Sequence, residues 1–489
     1  MKKILLLILL NSLLFLSCSE DYLLLENPNQ LDSANFFQTE EDIQIAITSA
    51  YAELQNFPTI FYLYLKDGRS NNYFSGTSNA QRDLVDISSF NVTSELRTLD
   101  NAWRFAYSLI ARTNKVLSVI DDVPFSSETL RDRIKGEARF LRGFAHFELT
   151  RTFGKVPIID DLVSPEKALE IGRSELTDVY AFIETDLQFA LANLPTTYPS
   201  TELGKATQYA AAGLLAKVYL TWGQFPVEDK SKVDLAVPIL ESLITNDNSL
   251  NWSFNYKNIF KSSNDNKYCL FEVQYISGAN GIGALFPSEF LTSSLKAFPF
   301  SGGIPRITPS RDLLSAFDME ADIRFNATFD TTYVDNFGFT VNDDLITKWF
   351  ETGLSLLNRG DWPHNYPILR PADIYLMYAE ALIIKEGNPT TTSIDALNKT
   401  RRRAGLLPIN PDSRAAFEEA LKLEYRREFV GEGVYWPYLV RSGQAVEDMN
   451  TWLMETEQNY TINTDKLIYP IPFSQMVIKA GLYTQNPGY

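Results

Sequence analysis

Between Asp67 and Ala80 the chain reads Asp-Gly-Arg-Ser-Asn-Asn-Tyr-Phe-Ser-Gly-Thr-Ser-Asn-Ala. Asp67, Asn71, Asn72, Tyr73 and Phe74 thus bring carboxylate, amide and ring together in a few positions. Tyr333, Trp349 and Trp362 supply further large rings from stretches with weak helical period. This mixture suits binding, because ligand sites present apolar walls with a few oriented polar groups. A ligand with flat C–H faces and a rim of hydroxyls would meet both kinds of partner. Packing within the surrounding segment is the competing assignment for each ring. Trp103 goes to the core, since it shares an apolar stripe with Tyr107 and Ile110.

Bond-breaking chemistry has weaker support. The only histidines are His146 and His364, too few for a multi-histidine metal site, and no Walker loop, dinucleotide fingerprint or zinc ribbon occurs. With 61 acidic residues, pairs of carboxylates are unavoidable. A two-carboxylate glycosidase is therefore an alternative that the residues do not specify. No catalytic residue, metal or cofactor is assigned.

The elements that must position these groups are helices. Gly136–Pro157 (GEARFLRGFAHFELTRTFGKVP) lies at the centre and exit of a long one. Leu130, Ile134, Ala138, Leu141, Ala145 and Leu149 recur at steps of three and four, and Phe140, Phe144 and Phe147 add an adjoining stripe. Together these cover about half the helix cylinder at roughly 100° per residue. Such a helix needs neighbours on both sides. Glu137 and Glu148 fall inside the apolar arc, where an unpaired carboxylate is costly, so arginines on neighbouring helices are the expected partners.

Around it, Glu40–Gln55 reads as a first helix with Thr39 as N-cap and Asp42 completing a capping-box variant. Leu99–Ile120 is helical, as are Thr207–Trp222, Ala372–Glu386, Ile394–Ala404 and Arg414–Val430. Four helices stop at a glycine with a proline two or three residues on: Gly154 and Pro157, Gly223 and Pro226, Gly387 and Pro389, Gly405 and Pro408. Small residues such as Ala210, Ala211, Gly213 and Ala216 let helix axes approach closely. Paired helices of this kind resemble tetratricopeptide repeats, although no clean 34-residue period of that repeat class emerges. The fold class expected is mainly α, with an inserted irregular lobe over about 251–366 that contains a few short strands. Tyr268–Ile276 is one such strand.

Lys2 and Lys3 followed by the apolar run Ile4–Leu16 form a leader over residues 1–17. Cys18 stands where a bacterial lipobox would place its lipidated cysteine, and 18–38 is a polar tether. Residues 39–489 form one domain, with helical repeats at 39–250 and 367–489. The formal charge of −17 makes nucleic acid a poor partner, since phosphate contacts need clustered cations. Cys269 is the only other cysteine, so no intramolecular disulfide remains once Cys18 is acylated.

Several stretches, in this order, resemble the SusD/RagB family of outer-membrane lipoproteins. They are Trp103–Asn114 (WRFAYSLIARTN), Gly136–Pro157, Gly204–Leu220 (GKATQYAAAGLLAKVYL), Arg370–Leu382 (RPADIYLMYAEAL), Leu397–Gly405 (LNKTRRRAG), Glu424–Gly433, Tyr469–Pro472 and Gln485–Tyr489. The resemblance implies four helix–turn–helix repeats carrying a variable lobe that holds a nutrient, an oligosaccharide or in some members a peptide. It also implies a TonB-dependent, SusC-like transporter as partner, and an outer-membrane location through the lipid anchor. A surface glycosidase and a protein scaffold are the other classes. One departure stands out. After Glu432-Gly433 the family pattern has an Arg, an aromatic and an Asp, whereas Tyr435, Trp436 and Tyr438 stand here, so the ion pair of that pattern is missing.

Overall fold

The structure is a computed structural model, and it describes residues 37–74, 82–246, 250–278, 281–296 and 306–489. The leader, Cys18 and nearly all of the tether lie outside the described residues. Eleven helices carry the architecture described here. They are α1 (Glu40–Glu53), α2 (Arg97–Val119), α3 (Glu128–Phe153), α4 (Leu176–Asn193), α5 (Gln208–Trp222), α6 (Lys230–Thr245), α7 (Pro371–Glu386), α8 (Thr391–Arg403), α9 (Arg414–Glu428), α10 (Tyr435–Arg441) and α11 (Ala445–Glu455). Each of α1 to α8 packs on the next in chain order, so the helices form a continuous stack. α6 packs directly on α7 although more than a hundred residues separate them in sequence.

Local chemistry explains where these helices start and stop. At α1 the Asp42 N–H donates to Thr39 Oγ1 at 3.2 Å and the Thr39 N–H donates back to Asp42 Oδ2 at 2.8 Å. This reciprocal cap satisfies N–H groups that have no partner within the helix. Gly154 ends α3 at φ +73°, and Gly387 and Gly405 follow their helices at +76° and +80°. Those values favour a residue without Cβ. Gly223 departs from the pattern: its φ is −74°, and a Cβ there would lie 2.5 Å from Val233 Cγ2. Its glycine serves the close approach of α5 and α6 rather than a left-handed turn.

α3 is flanked by α2 and α4, as its wide apolar arc requires. Ile134, Ala138, Leu141, Ala145, Leu149 and the three phenylalanines are buried. Each large apolar side chain so buried contributes about 1.5–3 kcal/mol. Glu137 and Glu148 are buried too, but their partners differ from the expectation. Glu148 pairs with Lys66 and with Arg151, which is three residues on in the same helix, and accepts from the Tyr62 hydroxyl at 2.8 Å. Glu137 lies 3.4 Å from Arg133, one turn back, and accepts from the Tyr198 hydroxyl at 3.2 Å. In both cases the arginine comes from α3 itself. An arginine does cross between helices at Arg142, whose guanidinium grips Asp186 of α4 with two bonds of 2.8 Å.

The inserted lobe has a narrow neck. β2 (Phe271–Val273) and β8 (Tyr366–Leu369) pair antiparallel, with Phe271 opposite Leu369. The expected strand at Tyr268–Ile276 shortens to these three residues. Phe271 packs edge-on against Phe140 of α3 at 4.9 Å. Leu369 lies over Gly213 of α5, where a Cβ would meet its Cδ2 at 2.4 Å. β1 (Tyr73–Phe74) pairs with β3 (Thr308–Pro309), which fastens the first loop to the lobe. β4 (Phe329–Asp330) pairs with β7 (Leu345–Ile346), and β5 (Tyr333–Val334) with β6 (Thr340–Val341).

Candidate functional site

Most of the sequence-predicted ligand residues are brought together, but on the inside of the molecule. Asp67, Asn71, Asn72 and Tyr73 are all buried. Asn71 Nδ2 donates to Asp312 Oδ2 at 3.2 Å, and Asn72 Oδ1 accepts from Arg426 Nε at 2.7 Å. The Tyr73 hydroxyl accepts from the Gly431 N–H at 2.5 Å. Burial pushes the Asp67 carboxyl well above the usual carboxylate range, with the Gly433 N–H acting against it. The backbone of Phe74 belongs to β1, and its side chain lies outside the described residues.

The lobe aromatics are placed in the same way. Trp349 stacks on Phe290 at 5.5 Å and on Tyr366 at 6.1 Å, and Phe286 and Phe260 meet it edge-on. Trp362 is fully buried and its Nε1 donates to Ser288 Oγ at 2.7 Å. Tyr333 is buried, with its hydroxyl 2.9 Å from that of Ser294. In this conformation these rings join the lobe to its base and offer no open face to solvent.

Beside them runs a buried ionic seam between lobe and stack. Arg324 of the lobe bonds Asp322 at 2.8 Å, Glu424 at 2.6 Å and Glu428 at 3.2 Å. Arg370, the N-cap of α7, holds Glu428 at 3.0 Å and Glu432 through bonds of 2.6 and 2.8 Å. Lys348 reaches Glu432 at 2.5 Å, and Arg403 of α8 also pairs with Glu428. Burial alone would raise the Glu428 carboxyl, but Arg403, Arg370 and Arg324 outweigh it and hold it at about 2. Each of these carboxylates is thus paired with at least one buried cation. Among the described residues no group of three His, Cys, Asp or Glu side chains is arranged to hold a metal ion.

Aromatic surface is offered elsewhere in the lobe. The turn between β5 and β6 reads Asp335-Asn336-Phe337-Gly338-Phe339. Asp335 Oδ1 accepts from the N–H groups of both Phe337 and Phe339, at 2.9 and 2.8 Å. The Asp335 N–H bonds the Phe339 carbonyl at 2.8 Å, and Gly338 takes φ +89° between the two rings. A second strand of contacts braces the turn from the side, where Asn336 N–H donates to Ser294 O at 2.9 Å and Lys296 N–H to Val334 O at 3.0 Å. Phe337 is 85% exposed and Phe339 70% exposed. These bonds hold two large apolar rings in water on either side of the glycine. The sequence carries a signal for them in Asp-x-Phe-Gly-Phe, a local turn with a ring on each side of a glycine.

Two family models match this chain. Residues 21–220 match one described as "Starch-binding associating with outer membrane", and residues 336–489 match the SusD family model. The chain belongs to the SusD/RagB family. A SusD-like protein of Bacteroides ovatus is 29% identical over 92% of this chain and 83% of its own length. Among solved structures, a SusD superfamily protein of Parabacteroides distasonis superposes with a TM-score of 0.81 at 24% identity, covering 94% of this chain and all of that one. A laminarin-binding SusD-like protein superposes at 0.77 with 24% identity, covering 92% of this chain and 100% of that one. The stretch after Gly433, where the sequence resemblance departs, is held by rings and an ion pair. Tyr438 stacks on Tyr425 at 4.2 Å, and Arg441 takes Glu380 in two bonds of 2.7 Å, to which the Tyr425 hydroxyl adds a third of 2.7 Å.

Proposed function

We propose that this SusD-family chain binds an oligosaccharide at the cell surface and passes it to a TonB-dependent, SusC-like transporter in the outer membrane. The observation that carries the reading is the braced turn with Phe337 and Phe339 exposed on either side of Gly338. Sugar rings stack their C–H faces on aromatic planes, and a turn fixed before binding spares the ligand the ordering cost. Tyr333 sits in the strand that leads into the turn, while Trp349 and Trp362 pack inside the lobe and Asp67, Asn71, Asn72 and Tyr73 tie the first loop to the lobe and to the segments around α9. The laminarin-binding relative and the family model's starch-binding description support a glycan as the ligand class. Attachment runs through acylated Cys18: an acyl chain contributes about 0.8 kcal/mol per buried CH₂, and stable anchoring takes more than one chain. The chain works as a binding protein and leaves hydrolysis to others.

Calorimetry against a panel of oligosaccharides and peptides tests the reading. The paired substitution Phe337→Ala and Phe339→Ala is expected to remove at least nine-tenths of glycan affinity at unchanged melting temperature. Retained glycan affinity in that variant, or binding of peptides alone by the parent, would overturn it.

A further inference from the structure

A cleft of about 350 Å³ opens between the connection from α4 to α5 and the start of the inserted lobe. That volume lies near the lower end of small-molecule sites, about 300–1,000 Å³. The Phe337–Phe339 turn contributes nothing to its walls. Tyr198 and Tyr209 provide aromatic surface, and Thr196, Thr197 and Thr207 provide hydroxyls. The floor is built before any ligand arrives. Asn266 and Gln274 exchange side-chain amide bonds of 2.9 and 3.0 Å, and Asn365 Nδ2 donates to Glu272 Oε1 at 2.7 Å.

The charge of this cleft runs against that of the chain. Lys205 and Lys267 line it, and Glu272 is the only acidic residue among its walls. Burial pushes the Glu272 carboxyl up, against hydrogen bonds from Asn365 and the Asn266 N–H. Glu202 beneath is already held by Lys205 at 2.8 Å and by Arg133 at 3.0 Å. The Lys267 side chain is exposed, its Nζ lies 5.2 Å from the centre of the Tyr268 ring, and it forms no ion pair among the described residues. Its backbone is fixed by Asn251, whose Nδ2 donates to the Lys267 carbonyl at 2.7 Å.

We propose that this cleft is a second carbohydrate site, selective for an acidic sugar, with Lys267 pairing the carboxylate of a uronate residue while Tyr198, Tyr209 and the threonine hydroxyls receive its ring. The charge-assisted bond supplies the preference over a neutral sugar, because hydrogen bonds to ionised groups are about twice as strong as neutral ones. The site stands independently of the Phe337–Phe339 turn.

The test uses the mature chain and the trimers of galacturonate, glucuronate, mannuronate and guluronate, with galactotriose as the uncharged control. At least one uronate trimer should bind at millimolar concentration or better, at least fivefold more tightly than galactotriose, and more weakly as salt is raised. Lys267→Glu, on an exposed side chain, should reduce that binding at least tenfold with no change in melting temperature. The Phe337→Ala, Phe339→Ala variant should bind the uronate as the parent does. Absence of binding by all four trimers overturns the proposal, as does parental affinity in Lys267→Glu. Loss of uronate binding in the phenylalanine variant would move the ligand to the turn and overturn it equally. A failure of the glycan reading at the turn would show separately, with neutral oligosaccharides.

Discussion

Asp67 Oδ2 accepts a hydrogen bond of 3.0 Å from the backbone N–H of Gly433, a partner 366 positions away in the chain. Asp67 Oδ1 is buried with no hydrogen-bond partner. The first loop is thereby tied to the segment that follows α9, and burial favours the uncharged carboxyl. Asp67→Asn keeps an acceptor for Gly433 and carries no charge, so its stability should stay within about 1 kcal/mol of the parent. Asp67→Ala leaves the N–H unpartnered and should cost about 1–3 kcal/mol. Urea denaturation of both variants checks the pair. Glycan affinity lost in Asp67→Asn at unchanged stability would show instead that the carboxylate meets ligand.

Trp349 and the Phe337–Phe339 pair should separate cleanly. Trp349→Ala empties a site between Phe290 and Tyr366 and should destabilise the protein by about 3–5 kcal/mol, as other large core truncations do. The exposed phenylalanines should cost less than about 0.5 kcal/mol each. Thermal melts beside calorimetry decide between the two behaviours. A stable Trp349→Ala variant would contradict the burial described above.

Glu428 sits among Arg324, Arg370 and Arg403, and its carboxyl is held at about 2. The folded-state value lies below the ordinary carboxylate value of 4.5, so its contribution to stability is fully present above about pH 4.5 and is lost as pH falls through 2. The loss should be on the order of 3 kcal/mol across that window. Glu428→Gln should cost about 3–5 kcal/mol at neutral pH, because three guanidinium groups lose part of their compensation. It should also flatten the acid limb of a stability-against-pH curve. An unchanged acid limb would argue that the seam is not what acid disrupts.

His146 gives a second, earlier window. Burial lowers its pKa to about 4, below its ordinary 6.5, so the folded state keeps it neutral. The unfolded chain binds the proton first, and stability should therefore fall as pH drops from about 6.5 to 4, then level off. His146 Nδ1 lies 3.0 Å from the Arg142 carbonyl, consistent with a neutral ring that donates there. Subtracting the curve of His146→Gln from that of the parent isolates this contribution, expected at about 3 kcal/mol. A difference that does not change between pH 7 and 4 would exclude it.

Gly223 and Gly387 both end helices and should fail differently. Gly223→Ala drives a Cβ into Val233 and should cost about 1–3 kcal/mol through overpacking. Gly387→Ala meets no neighbour, and pays only for a left-handed backbone, about 1–2 kcal/mol. A second substitution, Val233→Ala, should relieve the first loss and leave the other untouched, which a double-mutant cycle reads directly.

Helices were legible in the sequence because their information is local. The period of Leu130 to Leu149, the Thr39 cap and the glycines after α3, α7 and α8 each lie within one or two turns of what they control. In the sequence, helical period stops near 251 and resumes near 367. What sits inside the lobe is decided by distant partners. Tyr73 looked available because nothing nearby in sequence needs it, yet Pro309 faces it across a ladder and Gly431 takes its hydroxyl. Trp349 is likewise covered by Phe260, Phe286, Phe290 and Tyr366, none adjacent in the chain. Phe337 and Phe339, which do face water, are marked by a short turn instead of by abundance. Glu137 and Glu148 were recognisable as buried, but a helix period cannot say that each draws its arginine from its own helix.

The pairing of β2 with β8 has a consequence for how such a protein diversifies. The chain leaves and rejoins the helical stack through two adjacent strands, and the segment between Val273 and Tyr366 is tied back at a few further points: Arg324 to Glu424 and Glu428, Lys348 to Glu432, and β3 to β1. α6 already packs on α7 without it. Insertions, deletions or exchange within that segment must preserve the Phe271–Leu369 rung, the Arg324 and Lys348 ion pairs and the β1–β3 ladder, so the helices act as a socket in which recognition can be rewritten between those fixed points while the stack stays the same.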